Sequence, residues 1–144
     1  FVPGCSPTCR SGEFALKSFL KYQFPALGWA GLIFFLSSLE KIPTIKFFLS
    51  PDKLGHSFVF LIFTLLAWRA FKYQTSISLL RDRAILFSTL AAILYGLSDE
   101  IHQLYVPGRL FDVLDILADS FGALLFVLGH WFFKRFRKAP ETAN

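Results

Sequence analysis

The chain has 144 residues, of which 54% are hydrophobic and only 17% are charged. Soluble domains carry about 25% charged residues, so this composition excludes an ordinary soluble globular protein. The formal net charge is +5, from 15 Lys and Arg against 10 Asp and Glu. The composition therefore predicts a membrane protein, in which the position of each charge relative to the apolar segments becomes informative.

Four apolar segments follow one another along the chain, at residues 22–39, 54–71, 84–97 with a polar extension to 105, and 113–133. At about 1.5 Å rise per residue, each covers most or all of a hydrocarbon core of about 30 Å. The pattern predicts an all-α integral membrane protein, an antiparallel bundle of four transmembrane helices. We divide the chain into an N-terminal arm at 1–21, the membrane domain at 22–133 and a basic tail at 134–144.

The N-terminal arm carries no clear site. The chain contains no Met, so its first residue is not an initiator, and we interpret the first 14 residues as either a processed end or an added segment, outside the fold. Cys5 and Cys9 form a C-x-x-x-C pair, which alone is a weak metal or redox signal. We predict no cofactor.

Basic residues alternate in density along the chain. Eleven lie in the arm (Arg10, Lys17, Lys21), the second connection (Arg69, Lys72, Arg81, Arg83) and the tail (Lys134, Arg135, Arg137, Lys138), against four elsewhere (Lys41, Lys46, Lys53, Arg109). This positive-inside pattern predicts that both termini are cytoplasmic. Because the basic residues lie beside span ends, where anionic lipid head groups explain them, we predict no binding of nucleic acid.

Polar residues collect at the span ends that this orientation places outside the cytoplasm. At 100° per residue, each of three spans presents them within one arc of its surface. The sets are Asp52, Lys53 and His56 on the second span, Asp99, Glu100 and Gln103 on the third, and Asp112, Asp115 and Asp119 on the fourth. Ionisable residues in a membrane are functional candidates, so we predict a polar pocket with Lys53 and Arg109 as counter-charges.

Several roles fit these residues. The catalytic candidates are Glu100, Asp99 and His56, with one carboxylate as general base. The candidates for substrate binding are Lys53, Gln103, Arg109, Asp112, Asp115 and Asp119. Alternatively, Asp99, Glu100 and Arg109 form an ion-pair cluster that joins the third and fourth spans. Because adjacent helical residues point about 100° apart, we expect Asp99 to brace the bundle and Glu100 to face the pocket.

A metal site is a weaker alternative. Zinc requires three or four close ligands, which His56, Asp99 and Glu100 could supply. Neither H-E-x-x-H nor C-x-x-C spacing occurs in the chain. We therefore predict no metal site.

Four motifs in order resemble the VanZ-like family of small bacterial membrane proteins: Asp52-Lys-Leu-Gly-His56, Tyr95-Gly-Leu-Ser-Asp-Glu-Ile-His-Gln103, Val106-Pro-Gly-Arg109, and Asp112-Val-Leu-Asp115 followed by Asp119-Ser-Phe-Gly122. The resemblance implies a multi-pass protein of the bacterial inner membrane with four helices. The family's namesake is associated with low-level resistance to the glycopeptide teicoplanin. Members of that family often have Asn at the position of Asp119, so the Asp of this chain adds a possible charge.

Three classes of function remain open, so the sequence leaves undecided whether the protein is an enzyme. The first is an enzyme acting on a lipid-linked or head-group substrate at the outer leaflet. The second is a non-catalytic binder or transporter of a polar ligand. The third is a structural or accessory subunit of a larger membrane protein complex. The corresponding partners are membrane lipid, a lipid-linked envelope substrate and other membrane protein subunits.

Overall fold

The protein, represented here by a computed structural model, is described at residues 16–39 and 51–137. These residues form α1 (Leu16–Ser37), α2 (Pro51–Tyr73), the short α3 (Ser78–Asp82), α4 (Ala84–Gln103) and α5 (Val113–Arg137), and they contain no strand. All but α3 are long and apolar enough to cross a membrane. The predicted all-α bundle of four spans is confirmed. Cys5, Cys9 and most of the predicted arm and tail lie outside the described residues.

An irregular turn in α1 has its cause in the sequence. The segment Phe19–Gln23 is π-helical, and the N–H of Phe24 donates to the carbonyl of Phe19, five residues back. Pro25 follows, and proline lacks the N–H that would donate to the carbonyl four residues before it. The wider turn therefore lies directly before the position where the regular helical ladder is interrupted.

The helices extend beyond the predicted spans at both ends of the bundle, since α1 begins at Leu16 rather than at residue 22 and α5 continues to Arg137 rather than to residue 133. α2 begins at Pro51 and α4 continues to Gln103, so most of the polar motif residues are helical. A span predicted from hydropathy ends at the first charged residue, whereas the helical backbone hydrogen bonds continue past it. Gly108, with φ of 76°, then turns the chain towards α5. This left-handed conformation favours glycine.

The bundle core is built from α1, α2, α4 and α5. Its buried cluster consists of Ile33, Phe60, Phe63, Ala92 and Ala123. Two side chains fix α1 to this cluster: the indole Nε1 of Trp29 donates to the Val59 carbonyl at 3.1 Å, and the Tyr95 hydroxyl donates to the Ala30 carbonyl at 2.7 Å. Such bonds between helices are available because few polar groups compete for them in lipid.

α2 and α5 cross at close range. A Cβ atom added to Gly122 of α5 would overlap the backbone carbonyl of Ser57 in α2. The Ser57 hydroxyl donates to the Ala118 carbonyl at 2.9 Å across the same crossing. Small residues permit this close backbone approach in membrane bundles. The crossing places the first turns of α2 beside the first turns of α5.

The bundle differs from a soluble protein in exposing many large apolar side chains while burying several charged ones. Large apolar side chains such as Phe58 and Phe133 are exposed, as expected of surfaces that contact lipid. The buried charged and amide side chains are Lys53, Asp99, Glu100, Gln103, Asp115 and Asp119. Ionisable residues that face the interior of a membrane bundle are candidates for function. All six lie towards one end of the molecule.

Candidate functional site

The structure brings every predicted site residue to one end of the bundle. The first turns of α2 and α5 meet the last turns of α4 there, and the connection between α4 and α5 supplies Arg109. The convergence expected from helical phase is therefore present. The individual contacts, however, divide these residues into groups with different tasks.

The first group is a buried ion-pair cluster between α2 and α5. Lys53 Nζ donates to Asp112 Oδ2 at 2.9 Å and also to Asp115 Oδ1. Lys53 and Asp115 are both buried. Removing one member of a buried pair costs about 3–5 kcal/mol, because the other charge is left uncompensated. Lys53, Asp112 and Asp115, expected to bind substrate, are thus engaged with one another.

Asp112 also begins α5. Its Oδ1 accepts a hydrogen bond from the N–H of Leu114 at 3.0 Å, and Val113 is the first residue of the helix. This is the contact of an N-cap residue, which satisfies an N–H that has no partner within the helix. The same side chain therefore caps α5 and fixes that helix start to Lys53.

Glu100 holds this helix start from the other side. Its side chain is fully buried, and Oε2 accepts the backbone N–H of Asp112 at 2.9 Å. Its other oxygen, Oε1, has no partner among the described residues. The expected roles of the adjacent acids are therefore reversed: Glu100 braces the bundle, and Asp99 borders the cavity described below. The reason is the turn at Gly108, which carries the Asp112 backbone over Glu100.

Asp99, Gln103 and Arg109 form a chain of hydrogen bonds. Gln103 Nε2 donates to Asp99 Oδ2 at 2.9 Å, and an Arg109 terminal nitrogen donates to Gln103 Oε1 at 3.0 Å. Within the described residues, no ion pair joins Arg109 to Asp99 or Glu100, so the expected three-residue ion-pair cluster is wrong. The amide of Gln103 lies between the two charges.

Arg109 also closes the end of α1. Its Nε donates to the Leu39 carbonyl at 3.1 Å, and its other terminal nitrogen donates to the Leu36 carbonyl at 3.3 Å. Carbonyls at a helix end lack partners within the helix, so a guanidinium there satisfies them. Arg109 therefore joins α1 to the end of α4.

His56 and Asp119 form a second polar pair between α2 and α5. His56 Nδ1 lies 3.0 Å from Asp119 Oδ1, and the Asp119 side chain is 1% exposed. Gly96 of α4 makes room for the carboxylate, since a Cβ there would lie 2.8 Å from Asp119 Oδ2. Oδ2 has no hydrogen-bond partner in the described part of the chain. Among the described residues, the imidazole is thus the one polar group that bonds to the Asp119 carboxylate.

A cavity of about 320 Å³ lies between α1, α2 and α4. Its polar lining consists of Ser37, Asp52, His56, Asp99, Gln103 and Arg109, and its apolar lining includes Ile33, Leu36, Val59 and Phe60. A few polar groups set into apolar walls are typical of small-molecule sites. Of the predicted site residues, His56, Asp99, Gln103 and Arg109 border this cavity, and the other five do not.

One group of side chains has metal-ligand spacing. Asp52, His56 and Asp115 offer ligand atoms that all lie within 4.8 Å of one another. The ammonium of Lys53 already bonds to Asp115, and a cation there would meet that positive charge. The trio considered for zinc from the sequence, His56, Asp99 and Glu100, does not form such a group among the described residues. The donor set thus fits an ion pair better than a metal.

The comparisons agree with the architecture. The model of the VanZ/LLP1 family matches residues 16–135. The chain belongs to the VanZ/LLP1 family. The VanZ/LLP1 match covers α1, α2, α4, all but the last two residues of α5, and every residue of the cavity, so the resemblance drawn from the four motifs is confirmed. No curated protein and no solved structure matches the chain.

Sequence reasoning missed one wall of the cavity in this VanZ/LLP1 protein. Ile33, Leu36 and Ser37 of α1 line it, although no site role was expected of the first span. Their signal in the sequence is weak, because two are ordinary apolar residues and the third is a small hydroxyl. Asp52, predicted to lie on the polar face of the second span but not named as a candidate site residue, also borders the cavity.

Proposed function

We propose that this VanZ/LLP1 protein binds the polar head group of a membrane lipid or lipid-linked envelope substrate in the cavity between α1, α2 and α4. The observation that carries the proposal is the lining: charged groups and apolar side chains border the same space at the end of a membrane bundle. A head group and the first part of its lipid chain present the same combination of surfaces.

Arg109 supplies donors for an anionic group. A guanidinium has five N–H donors, and three hydrogen bonds of Arg109 are made to Gln103, Leu36 and Leu39. After these bonds to described residues, two N–H groups remain, one on each terminal nitrogen. Their planar arrangement suits two oxygens of one phosphate or carboxylate.

The remaining charges favour a ligand that is also cationic. Two carboxylates, Asp52 and Asp99, border the cavity together with the positively charged Arg109. A ligand carrying only negative charge would be repelled by the two carboxylates. A zwitterionic head group, with an amine and an anionic group, matches both signs. The proposed ligand is therefore an amine-bearing phospholipid or an amine-bearing lipid-linked precursor.

Binding of short-chain lipids to the detergent-purified full chain tests this proposal. Isothermal titration calorimetry with dihexanoyl phosphatidylethanolamine, dihexanoyl phosphatidylglycerol and dihexanoylglycerol should rank them in that order of affinity. Arg109→Gln should weaken phosphatidylethanolamine binding about 10- to 100-fold, since hydrogen bonds to charged groups contribute about 1.5–3 kcal/mol. Arg83→Gln is the matched control, because Arg83 is exposed at the opposite end of α4.

The folded state of each variant is checked by its thermal unfolding in the same detergent. If Arg109→Gln does not fold, Asp99→Asn replaces it and should reduce the preference for phosphatidylethanolamine over phosphatidylglycerol. Wild-type affinity in a folded Arg109→Gln variant, or equal binding of dihexanoylglycerol and phosphatidylethanolamine, would show that the cavity is not a head-group site.

The membrane and its orientation belong to the same proposal. We place the protein in the bacterial cytoplasmic membrane with the cavity at the outer leaflet, which rests on family membership and on the distribution of Lys and Arg. Lipid-linked envelope precursors with exposed head groups would then reach the cavity from the leaflet that surrounds it.

A further inference from the structure

We infer that His56 is the general base and acid of a phosphoester hydrolysis in this cavity and that Asp119 is its positioning residue. The inference rests on the proposed head-group site and adds a reaction to it. It uses the pair His56 and Asp119, which has no role in the head-group binding proposed above.

The imidazole of His56 has one nitrogen held and one available. Nδ1 bonds to Asp119, while no hydrogen bond from a described residue reaches Nε2. His56 borders the cavity and Asp119 does not. A base that faces the reacting group and is oriented from behind by a third group is a recurrent arrangement in acid–base catalysis.

The position of Asp119 is set by its packing against Gly96 of α4. A Cβ added to Gly96 would lie 2.8 Å from Asp119 Oδ2 and 3.2 Å from Asp119 Cβ. The carboxylate therefore lies against the backbone of α4, where little movement is available to it. A fixed carboxylate keeps the Nδ1 proton in place, so that Nε2 is the nitrogen that accepts a proton.

His102, a second histidine at the same end of the bundle, has only structural contacts among the described residues. His102 Nε2 bonds to the Ser38 hydroxyl at 3.0 Å, and its ring lies 4.4 Å from that of Phe34. It does not border the cavity and bonds no carboxylate among the described residues. His102 is therefore the natural control for His56.

The reaction that fits these groups uses water as the nucleophile, because no hydroxyl side chain bonds to His56 among the described residues. The water oxygen forms a bond to the phosphorus of a lipid phosphodiester while the bond from phosphorus to the leaving alkoxide breaks. His56 Nε2 accepts the water proton and returns it to the alkoxide oxygen. The Arg109 guanidinium holds two phosphate oxygens. The products are an alcohol and a phosphomonoester, with no change of oxidation state.

The test uses the full chain reconstituted in vesicles of equal parts phosphatidylethanolamine and phosphatidylglycerol. Phosphorus NMR follows the conversion of diester to monoester. The wild type should convert phosphatidylethanolamine, and His56→Gln should be about 100-fold slower or more, the range of general acid–base catalysis. His102→Gln should retain the wild-type rate.

Asp119→Asn separates positioning from folding, because the amide oxygen still accepts the Nδ1 proton while the charge is lost. We expect kcat to fall about tenfold or more with KM little changed, as for an interaction that acts in the transition state. This variant also decides the matter if His56→Gln does not fold.

The outcomes distinguish failure of the proposed reaction from failure of the proposed binding site, on which the reaction depends. A wild type that binds phosphatidylethanolamine in the calorimetric assay but converts neither lipid would overturn the inference and leave the head-group site intact. So would equal rates for the wild type and a folded His56→Gln variant, or an Asp119→Asn variant that raises KM alone. Absence of binding would remove both.

Discussion

Glu100 illustrates how burial changes the use of a carboxylate. It was the first catalytic candidate from the sequence, yet its side chain is fully buried and accepts the Asp112 backbone N–H. Glu100→Gln keeps an oxygen in that position and removes a buried charge, so we expect the free energy of unfolding to change by about 1 kcal/mol or less. Glu100→Leu leaves the Asp112 N–H unpaired and should lower it by about 1–3 kcal/mol.

Chemical unfolding in detergent measures these differences, and the calorimetric assay of phosphatidylethanolamine binding accompanies it. The Gln variant should bind as the wild type does. If the Gln variant has normal stability but does not convert lipid phosphodiester, Glu100 is a catalytic residue after all.

At the scale of elements, the crossing of α2 and α5 positions the whole site. Gly122→Ala would push a methyl group into the Ser57 carbonyl. Overpacking of this kind costs about 1–3 kcal/mol, so we expect a lower thermal unfolding temperature in detergent. Gly129→Ala is the matched control in the same helix, because no atom lies within 4 Å of the added Cβ. Equal unfolding temperatures for the two variants would show that the close crossing is not required.

The sequence predicted the helices and the end at which the site lies, but it could not predict the partners of each residue. Helical phase determines which face a side chain occupies, and on that basis His56, Asp99 and Asp115 are predicted to share one pocket. Of these, His56 and Asp99 border the cavity and Asp115 does not. It does not describe the connection from Leu104 to Asp112. That connection carries Arg109 to Gln103 and the Asp112 N–H to Glu100.

Adjacent residues show the same limit. Asp99 and Glu100 differ by one helical step, and their roles depend on which neighbour lies above each of them. Such information is non-local. Likewise, the pairing of Lys53 with Asp112 and Asp115 requires the α2–α5 crossing, which depends on Gly122 rather than on any charged motif.

At the scale of the whole molecule, the structure sharpens the charge argument for orientation. Lys53 is buried in its ion pairs, and Arg109 is bonded to Gln103 and to two carbonyls of the α1 end. Lys53 is thus not an exposed loop residue, and Arg109 is half-buried in the connection between α4 and α5. Lys41 and Lys46 lie outside the described residues. At the opposite end, Lys72, Arg81 and Arg83 are exposed. The positive-inside rule depends on basic residues flanking the spans.

We therefore expect the site end to face away from the cytoplasm, and single cysteines in intact cells test this orientation. With Cys5 and Cys9 replaced by Ser, Leu110→Cys should react with a membrane-impermeant maleimide, since Leu110 is 73% exposed at the site end. Thr75→Cys, exposed in the connection between α2 and α3, should react only after the cells are permeabilised. Labelling of Thr75→Cys but not of Leu110→Cys in intact cells would show that the protein has the opposite orientation in the membrane. The cavity would then take its head groups from the cytoplasmic leaflet.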